Sequence, residues 1–289
     1  MDEQRRERLA ITPAERRAAV LGTVAAARRR LALSIFRCTD FEFVDALGSA
    51  IDRGVTVEAL LAARRHRWRD EPDGLPRVLR RLGVCVHMRP AGATPYHAKY
   101  LVADEGAAFV GTLNWTRRHF DRTCDFGVIT HDPTVVRGVM ELFEVDRRGD
   151  RLDGEEVCAS RLLVAPERAR DRFAALLAGA STSLEVLDHK LRDAEMLELI
   201  GDRRRHGCEV RCLDGARLAP WRPHGRLLIV DGRVAVIGGT ALSPVALDHR
   251  RELSLTVHDP DVVARLRAFF ALASAGRLAD LDANWEVQA

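Results

Sequence analysis

The stretch YHAKYLVADEGAAFVGTLNW, Tyr96–Trp115, decides the fold, because a second stretch, PHGRLLIVDGRVAVIGGTAL from Pro223, aligns with it without a gap. The offset between aligned residues is constant at 127, whether it is taken as 224 − 97 or as 238 − 111. Histidine aligns with histidine at His97 and His224. A fixed offset over matched segments is the sequence signature of a duplicated structural unit.

The repeat continues on both sides of these stretches. Downstream, Glu252 aligns with Asp125 at the same offset, 252 − 125 = 127. Upstream, DRGVTVEAL from Asp52 matches RHGCEVRCL from Arg205 at an offset of 205 − 52 = 153. The first half therefore holds 153 − 127 = 26 extra residues, and around Leu75–Pro90 they predict a helix followed by a strand.

Hydrophobic periodicity predicts the same α/β unit in each half. The expected pairs of elements are strands Leu31–Phe36 and Ser183–Leu187, helices from Phe41 and from Ala194, strands Val55–Leu60 and Cys208–Leu213, strand pairs Tyr100–Val102 with Ala107–Val110 and Leu227–Val230 with Val234–Ile237, and strands Phe126–Thr130 and Leu253–Val257. An amphipathic helix closes each half. The predicted fold class is α/β, with two mixed-sheet halves packed together as a pseudo-two-fold duplication.

The domain boundaries follow from composition. The polar segment Arg147–Glu156, RRGDRLDGEE, separates a first half over 21–150 from a second half over 157–280. Residues 1–20 are expected to form an Arg-rich helical arm.

Composition narrows the class of protein. At 289 residues and 47% hydrophobic, the chain can build a packed core. It has no apolar run of the ~18 residues that a membrane span needs and no signal-peptide stretch, so a soluble, cytoplasmic protein is expected. The six cysteines form no CxxC pair, and we expect neither a metal site nor a cofactor. Lys99 and Lys190 stand out, because the other 45 − 2 = 43 basic residues are arginine.

The pattern His97-x-Lys99-x4-Asp104-x6-Gly111-Thr112-x-Asn114 resembles the signature of the phospholipase D superfamily. The resemblance extends from about Ala19 to Arg277. It implies a duplicated α/β fold and metal-independent cleavage of a phosphodiester, in which one histidine forms a phosphohistidine and the other protonates the leaving alcohol.

The resemblance also implies roles for individual residues. We expect His97 to be the nucleophile and His224 the leaving-group acid, although the reverse assignment stays open. Asp125 is expected to orient His97, and Glu252 to orient His224. The remaining expected contacts are Lys99, Arg226 and Asn114 for the transition-state charge, and Gly111 and Thr112 for the substrate phosphate. Lys190 follows the first strand of the second half, and this position suggests a contact with the substrate phosphate, with a solvated lysine as the alternative. Asp104 and Asp231 are expected to be structural, in the turns between two strands.

The second copy departs from the pattern at three positions. Arg226 replaces the lysine, Gly239 replaces the Ser/Thr and Ala241 replaces the asparagine. Arginine still binds phosphate, but the other two changes remove donors. We therefore expect either a slowed composite site or a vestigial His224.

Three functions remain open at this level. The first is a nucleic-acid phosphodiesterase, for which the basic runs Arg64–His66, Arg80–Arg81 and Arg203–Arg205 offer phosphate contacts. The second is a phospholipase or a phosphatidyltransferase resembling cardiolipin synthases, attached peripherally to a membrane. The third is a binding protein that has lost activity. The oligomeric state is left open.

Overall fold

The computed structural model describes residues 7–62, 74–90, 93–104, 106–152, 161–213 and 215–281. The first six residues of the predicted arm, the basic run at 64–66 and the end of the predicted boundary at 153–156 lie outside these ranges.

The described residues form helices and strands in the predicted order. The strands are β1 Glu7–Ala10, β2 Arg30–Ile35, β3 Thr56–Leu61, β4 Cys85–Met88, β5 Tyr100–Ala103, β6 Ala107–Gly111, β7 Thr123–Cys124, β8 Gly127–Thr130, β9 Leu162–Ala165, β10 Ser183–Leu187, β11 Glu209–Leu213, β12 Arg222–Pro223, β13 Leu227–Val230, β14 Val234–Gly238 and β15 Glu252–Val257. The helices are α1 Pro13–Ala26, α2 Phe41–Asp52, α3 Gly74–Arg81, α4 Arg117–Asp121, α5 Pro133–Arg148, α6 Ala169–Ala178, α7 Ala194–Arg205, α8 Pro244–Asp248 and α9 Pro260–Ser274, with 3₁₀ turns at Gly215–Leu218 and Leu278–Asp280.

Each half contains one mixed sheet. The first has seven strands in the order β1-β8-β6-β5-β2-β3-β4, and the second has six in the order β11-β10-β13-β14-β15-β9. Strands β2, β3 and β4 run parallel, as do β10 and β11, and the other pairs in these two sheets are antiparallel. This architecture confirms the predicted fold class. The extra α3 and β4 of the first half confirm the helix and strand predicted for its additional residues.

Alternation along the strands divides the core into layers. On β5, Tyr100 and Val102 face a core that both halves share and that α5 and α9 line. Leu101 and Ala103, on the opposite face, pack in a core of the first half alone. The second half has its own outer core against α6 and α7. The two sheets are thus held together by buried apolar surface.

Asp104 and Asp231 have the structural role that was expected. Each lies in a turn with positive φ, 45° and 52°. Asp104 accepts hydrogen bonds from the backbone N–H groups of residues 28–30, and Asp231 accepts them from those of residues 181–183. Each carboxylate therefore ties its turn to the start of the neighbouring strand.

The N-terminal residues 7–20 belong to the first half and do not form a separate arm, although residues 13–20 are helical as expected, within α1. Strand β1 pairs antiparallel with β8 at the edge of the first sheet, and α1 packs on the same half. Arg16 is fully buried, and its Nη1 donates to the Thr123 carbonyl at 2.5 Å. Arginine content suggested an Arg-rich helical arm, but these residues complete the sheet and its core.

A repeated ion-pair cluster connects the helices of each half. Arg17 on α1 binds Asp40 at 3.2 Å, and Arg170 on α6 binds Asp193 at 2.8 Å. The two clusters match member by member, with Arg17, Asp40, Glu42 and Asp121 in the first half and Arg170, Asp193, Glu195 and Asp248 in the second. The duplication therefore begins well before the motifs and includes α1.

None of the helices in the described part of the chain is long and apolar enough to cross a membrane.

Candidate active site

The two halves exchange short segments beside their motifs. Tyr96 forms a parallel bridge with Arg251 of the other half, and the His97 N–H donates to the Arg251 carbonyl at 2.9 Å. In the symmetric position, β12 pairs in parallel with β7. Each motif histidine is thereby placed next to the acidic residue of the opposite half.

His97 is held by Glu252. The Nδ1 atom of His97 lies 2.9 and 3.0 Å from the two Glu252 carboxylate oxygens. Burial lowers the pKa of His97 to about 3, against the opposing effect of Glu252. Burial alone would raise the pKa of Glu252, but His97 and Lys99 lower it to about 2. The pair is therefore a neutral imidazole donating from Nδ1 to a carboxylate, with Nε2 as the nitrogen that carries the lone pair.

His224 is held by Asp125. Its Nδ1 lies 2.7 Å from Asp125 Oδ1. Asp125 is fully buried, and although burial opposes ionisation, His224 and Arg16 hold the pKa of this carboxyl well below its usual range. The His224 side chain is 21% exposed, against 11% for His97. The two histidines thus have equivalent partners but different access to solvent.

These contacts correct the predicted pairing. Asp125 was expected to orient His97, and Glu252 to orient His224, within their own halves. The structure crosses them, because the segments before the histidines pair with the segments before the acids of the opposite half.

Lys99 lies directly beside His97. Its Nζ is 2.9 and 3.1 Å from the two ring nitrogens, and it donates to the His97 carbonyl at 2.7 Å. The Lys99 ammonium also lies 5.4 Å from the centre of the Phe36 ring. Burial lowers the pKa of Lys99 to about 7, with Arg226 and Arg250 acting in the same direction. This lysine therefore changes charge near neutral pH.

Arg226 supplies donors that the protein itself leaves unused. It is 5% exposed, and its Nε and Nη1 have no hydrogen-bond partner among the described residues. The carboxylate nearest its Nε is Asp188, at 3.7 Å. Buried, unsatisfied guanidinium nitrogens are costly unless a ligand completes them.

Arg250 was not predicted from the sequence. Its Nη2 is 2.5 Å from Glu252 Oε1, so it holds the acid that orients His97. In the first half the aligned residue, Thr123, contacts Asp125 in the same way. In the sequence, the signal for Arg250 was its position two residues before Glu252.

Lys190 belongs to the same cationic group. Its pKa is lowered mainly by burial and also by the nearby Arg226 and Arg250. The adjacent His189 has its pKa lowered to about 4 by burial, by Arg226 and by Lys190. The Lys190 backbone N–H donates to Asp188 Oδ1 at 2.9 Å, and the same oxygen lies 3.7 Å from Arg226 Nε, so Lys190 is close to Arg226 in the fold.

Asn114 contacts His119, which, like Arg250, was not predicted from the sequence. Its Nδ2 lies 3.1 Å from His119 Nε2, and its Oδ1 has no hydrogen-bond partner within the described ranges. The His119 ring packs edge-on against His224, with 4.4 Å between the ring centres. Burial and the neighbouring His224 lower the pKa of His119 to about 4. No signal marked His119, because its aligned residue in the second half is Ala246.

Thr112 and Gly111 have different contacts from those expected. The Thr112 hydroxyl donates to Asp125 Oδ1 at 2.5 Å instead of pointing toward a phosphate. A Cβ at Gly111 would lie 2.6 Å from the Phe109 ring, so this glycine makes room for the core. In the second half, a Cβ at Gly239 would collide with Glu252 Oε2. Gly239 is therefore the counterpart of a longer acid and does not represent a lost phosphate donor.

No metal site was expected, yet one group with suitable spacing exists among the described residues. Glu58, Cys85 and His87 bring their ligand atoms within 4.8 Å of one another. They lie on two different strands, β3 and β4, so no contiguous sequence pattern marked them.

The fold and the crossed histidine–acid pairs define a phospholipase D-type protein. A family model described as the cardiolipin synthase, PLD-like domain matches residues 20–147 and 160–272. The chain therefore belongs to the phospholipase D superfamily. Family and fold together support phosphotransfer of the phospholipase D type.

Two solved structures share this fold. Phosphatidylserine synthase from Haemophilus influenzae superposes with a TM-score of 0.76 at 12% identity, covering 94% of this chain and 86% of that protein. Polyphosphate kinase from Porphyromonas gingivalis superposes with a TM-score of 0.74 at 16% identity, covering 92% of this chain. This chain spans only 46% of the kinase. No curated protein sequence matches the chain.

Proposed function

We propose that this protein cleaves or transfers phosphodiesters through a phosphohistidine on His97, with His224 as the acid and base. The observation that carries the proposal is the crossed pairing, in which each histidine Nδ1 is bonded to a buried carboxylate of the other half. This arrangement directs each Nε2 atom away from its carboxylate, with Lys99 Nζ 3.1 Å from Nε2 of His97, and it requires both halves for one site.

The difference between the surroundings of the two histidines supports different roles for them in this proposal. The pKa of His97 is lowered to about 3, so its imidazole is neutral at pH 7 and has a lone pair with which to attack phosphorus. The His224 side chain is more exposed than that of His97, 21% against 11%, which suits a residue that exchanges protons with the leaving group and the acceptor. His97 is therefore the nucleophile in this proposal.

The proposed reaction has two balanced steps. In the first, His97 Nε2 forms a bond to phosphorus, the bond to the leaving oxygen breaks, and His224 gives that oxygen its proton. In the second, His224 removes a proton from water or an acceptor alcohol, whose oxygen attacks phosphorus while the P–N bond breaks. Both histidines return to their starting states, so no external reactant besides the acceptor is needed.

Three groups are placed to stabilise the negative charge on the phosphoryl oxygens. Lys99 offers an ammonium, Arg226 offers two unpartnered guanidinium nitrogens and Asn114 offers an amide. Donors of this kind contribute most in a buried site, where a loss of one costs about 10²-fold or more in rate. The chemistry is proposed to proceed without a metal, because side chains perform each proton transfer and hold the charge.

A phospholipid is the substrate that the matched family favours, since its model is described as a cardiolipin synthase domain. Nucleic acid is the second candidate, and one observation supports it. An open groove of about 530 Å³ is lined by Arg77, Arg80 and Arg81 together with Pro76 and Met88. A row of arginines suits a phosphate backbone.

The test is hydrolysis of an activated aryl phosphodiester in EDTA by the wild type and by His97→Ala and His224→Ala. We expect both changes to reduce kcat/KM by about 10⁴-fold or more, because the residues act as one unit. His206→Ala, at an exposed histidine outside the site, is the matched control and should retain full activity.

Other outcomes contradict parts of the proposal. Activity that survives His224→Ala makes the second half a scaffold, and activity that requires an added divalent ion rejects the metal-free chemistry. With an active enzyme, anionic phospholipid vesicles and single-stranded DNA are then compared as substrates. A covalent ³²P adduct that is stable to base but labile to acid, and absent from His97→Ala, assigns the nucleophile.

A further inference from the structure

We infer that Glu58, Cys85 and His87 form a zinc-type metal site on the outer edge of the first sheet. This site is separate from the proposed phosphotransfer chemistry. Strand β4, which carries Cys85 and His87, belongs to the segment that only the first half contains.

Strand register places the three side chains on one face. Glu58 and Cys85 are direct partners in the parallel pairing of β3 with β4. His87 lies two residues after Cys85, so its side chain projects to the same side. The ring of His87 also packs edge-on against Phe143 of α5, with 6.2 Å between the ring centres, which limits its orientation.

Two of the three distances between the ligand atoms are close to those of a tetrahedral ion, and the third, between Cys85 and Glu58, is within 4.8 Å. With Zn–S of about 2.3 Å and Zn–N and Zn–O of about 2.0–2.1 Å, tetrahedral angles require about 3.5 Å between S and N and about 3.3 Å between N and O. Cys85 Sγ lies 3.6 Å from His87 Nε2, and His87 Nε2 lies 3.1 Å from Glu58 Oε1. A small adjustment would accommodate the ion.

The surroundings leave the ligand atoms available. Arg30 Nε binds the other oxygen of Glu58, Oε2, at 2.5 Å and thereby orients the carboxylate as an outer-sphere partner does. Cys85 is exposed, so an ion can reach its Sγ atom. Three protein ligands leave the fourth position to water, and the mixture of sulfur, nitrogen and oxygen favours Zn²⁺ or Co²⁺ over Mg²⁺ or Ca²⁺.

The site lies away from the motifs. Between β5, which follows Lys99, and β4 stand β2 and β3. Three inter-strand steps of about 4.8 Å separate β4 from β5, or about 14 Å. We therefore assign the ion to holding the edge strand β4 against β3, and Cys85→Ser should leave diester hydrolysis unchanged.

The experiment is a Co²⁺ titration of the full chain, stripped of metal and kept reduced by a phosphine. We expect a thiolate-to-cobalt absorption band in the near ultraviolet that saturates at about one equivalent and disappears when Zn²⁺ is added. Cys85→Ser should abolish the band and His87→Gln should weaken or abolish it. Cys212→Ser is the matched control, because Cys212 is an exposed free cysteine on β11 of the other half.

The inference is overturned if the wild type gives no saturable band, if Cys85→Ser retains it, or if Cys212→Ser removes it. Far-ultraviolet circular dichroism checks that each variant is folded, and His87→Gln provides an independent test should Cys85→Ser misfold. None of these readouts uses phosphodiester turnover, so a failure here is distinct from a failure of the proposed function.

Discussion

The first half, residues 7–152, and the second half, residues 161–281, agree in their structural contacts and differ in the site. The Arg17 and Arg170 clusters match member by member, and so do the turns at Asp104 and Asp231. The site residues instead differ in pairs. Thr112 with Asp125 is replaced by Gly239 with Glu252, and Asn114 with His119 is replaced by Ala241 with Ala246.

This difference teaches that the second motif is not simply an eroded copy. Gly239 leaves space for a longer carboxylate, and Glu252 reaches across to His97. Arg250 takes the position of Thr123 and holds that carboxylate. The two halves have therefore diverged in complementary ways around one shared site.

The largest expected effect comes from breaking the crossed pairs. Glu252→Gln and Asp125→Asn should each lower kcat/KM by about 10⁴-fold, because a neutral amide favours the wrong histidine tautomer. Nitrogen-15 NMR of the histidines discriminates between the pairings. Glu252→Gln should shift the Nδ1 signal of His97 and leave that of His224 in place. A shift of the His224 signal instead would show that Glu252 pairs with His224, within its own half.

The second prediction concerns a buried ion-pair cluster at Asp146 that joins the two halves. Asp146 Oδ1 accepts from Arg89 at 2.6 Å and from Arg251 at 2.8 Å, and all three side chains are buried. Asp146→Ala removes the carboxylate that both cations share, although Arg251 keeps its ion pair with Glu167, and should lower the free energy of unfolding by about 3 kcal/mol. Urea denaturation measures it. The control Asp150→Ala removes an exposed ion pair with Arg148 and should change stability by less than about 0.5 kcal/mol.

A third experiment tests whether positions 239 and 252 of the second half depend on each other, as the Thr112 and Asp125 contact of the first half suggests. Gly239→Thr should displace the Glu252 carboxylate and reduce activity by about 10²-fold, the loss expected for a misplacement of about 1 Å. Adding Glu252→Asp installs the Thr and Asp pair of the first half and should recover part of the loss. A double variant no better than Gly239→Thr would show that the two positions are not coupled.

The smallest effect is a pH dependence that distinguishes Lys99 from Arg226. The pKa of Lys99 is lowered from 10.5 to about 7, so the ammonium is lost as pH rises through 7. We expect kcat/KM to fall by up to tenfold per pH unit above that point. In the pH profile of kcat, this alkaline fall in activity (the alkaline limb) should occur at higher pH, because a bound phosphate favours the charged form of Lys99.

The stability of the fold has the opposite pH dependence. Between about pH 7 and 10.5 the unfolded chain keeps the Lys99 proton that the folded chain has lost, so this residue makes the fold more stable as pH rises. The loss of activity that follows deprotonation of Lys99 at alkaline pH is therefore not caused by unfolding. Lys99→Arg should remove the limb, since arginine stays protonated. A limb that persists in Lys99→Arg belongs to another group.

Much of the fold could be predicted from the sequence because each element predicted in one half could be checked against its aligned counterpart in the other half. Strands Ser183–Leu187 and Leu227–Val230 have the predicted bounds, and the helices begin at Phe41 and Ala194 as expected. The N-terminal strand was missed because ERLA at 7–10 is short and lies among arginines. A pairing with β8 across more than a hundred residues leaves no local signal.

The sequence by itself determined the family, the repeated α/β unit and the residue types of the site, since these depend on local periodicity and on spacing within one motif. Which acid serves which histidine could not follow from it. Two copies related by a constant offset make pairing within and between halves equally compatible with the spacing. Only the packing of the two sheets, with the segments at Tyr96 and at β12 docked against the opposite half, selected the crossed arrangement. His119 and the Glu58, Cys85 and His87 group became visible for the same reason, because their neighbours come from distant parts of the chain.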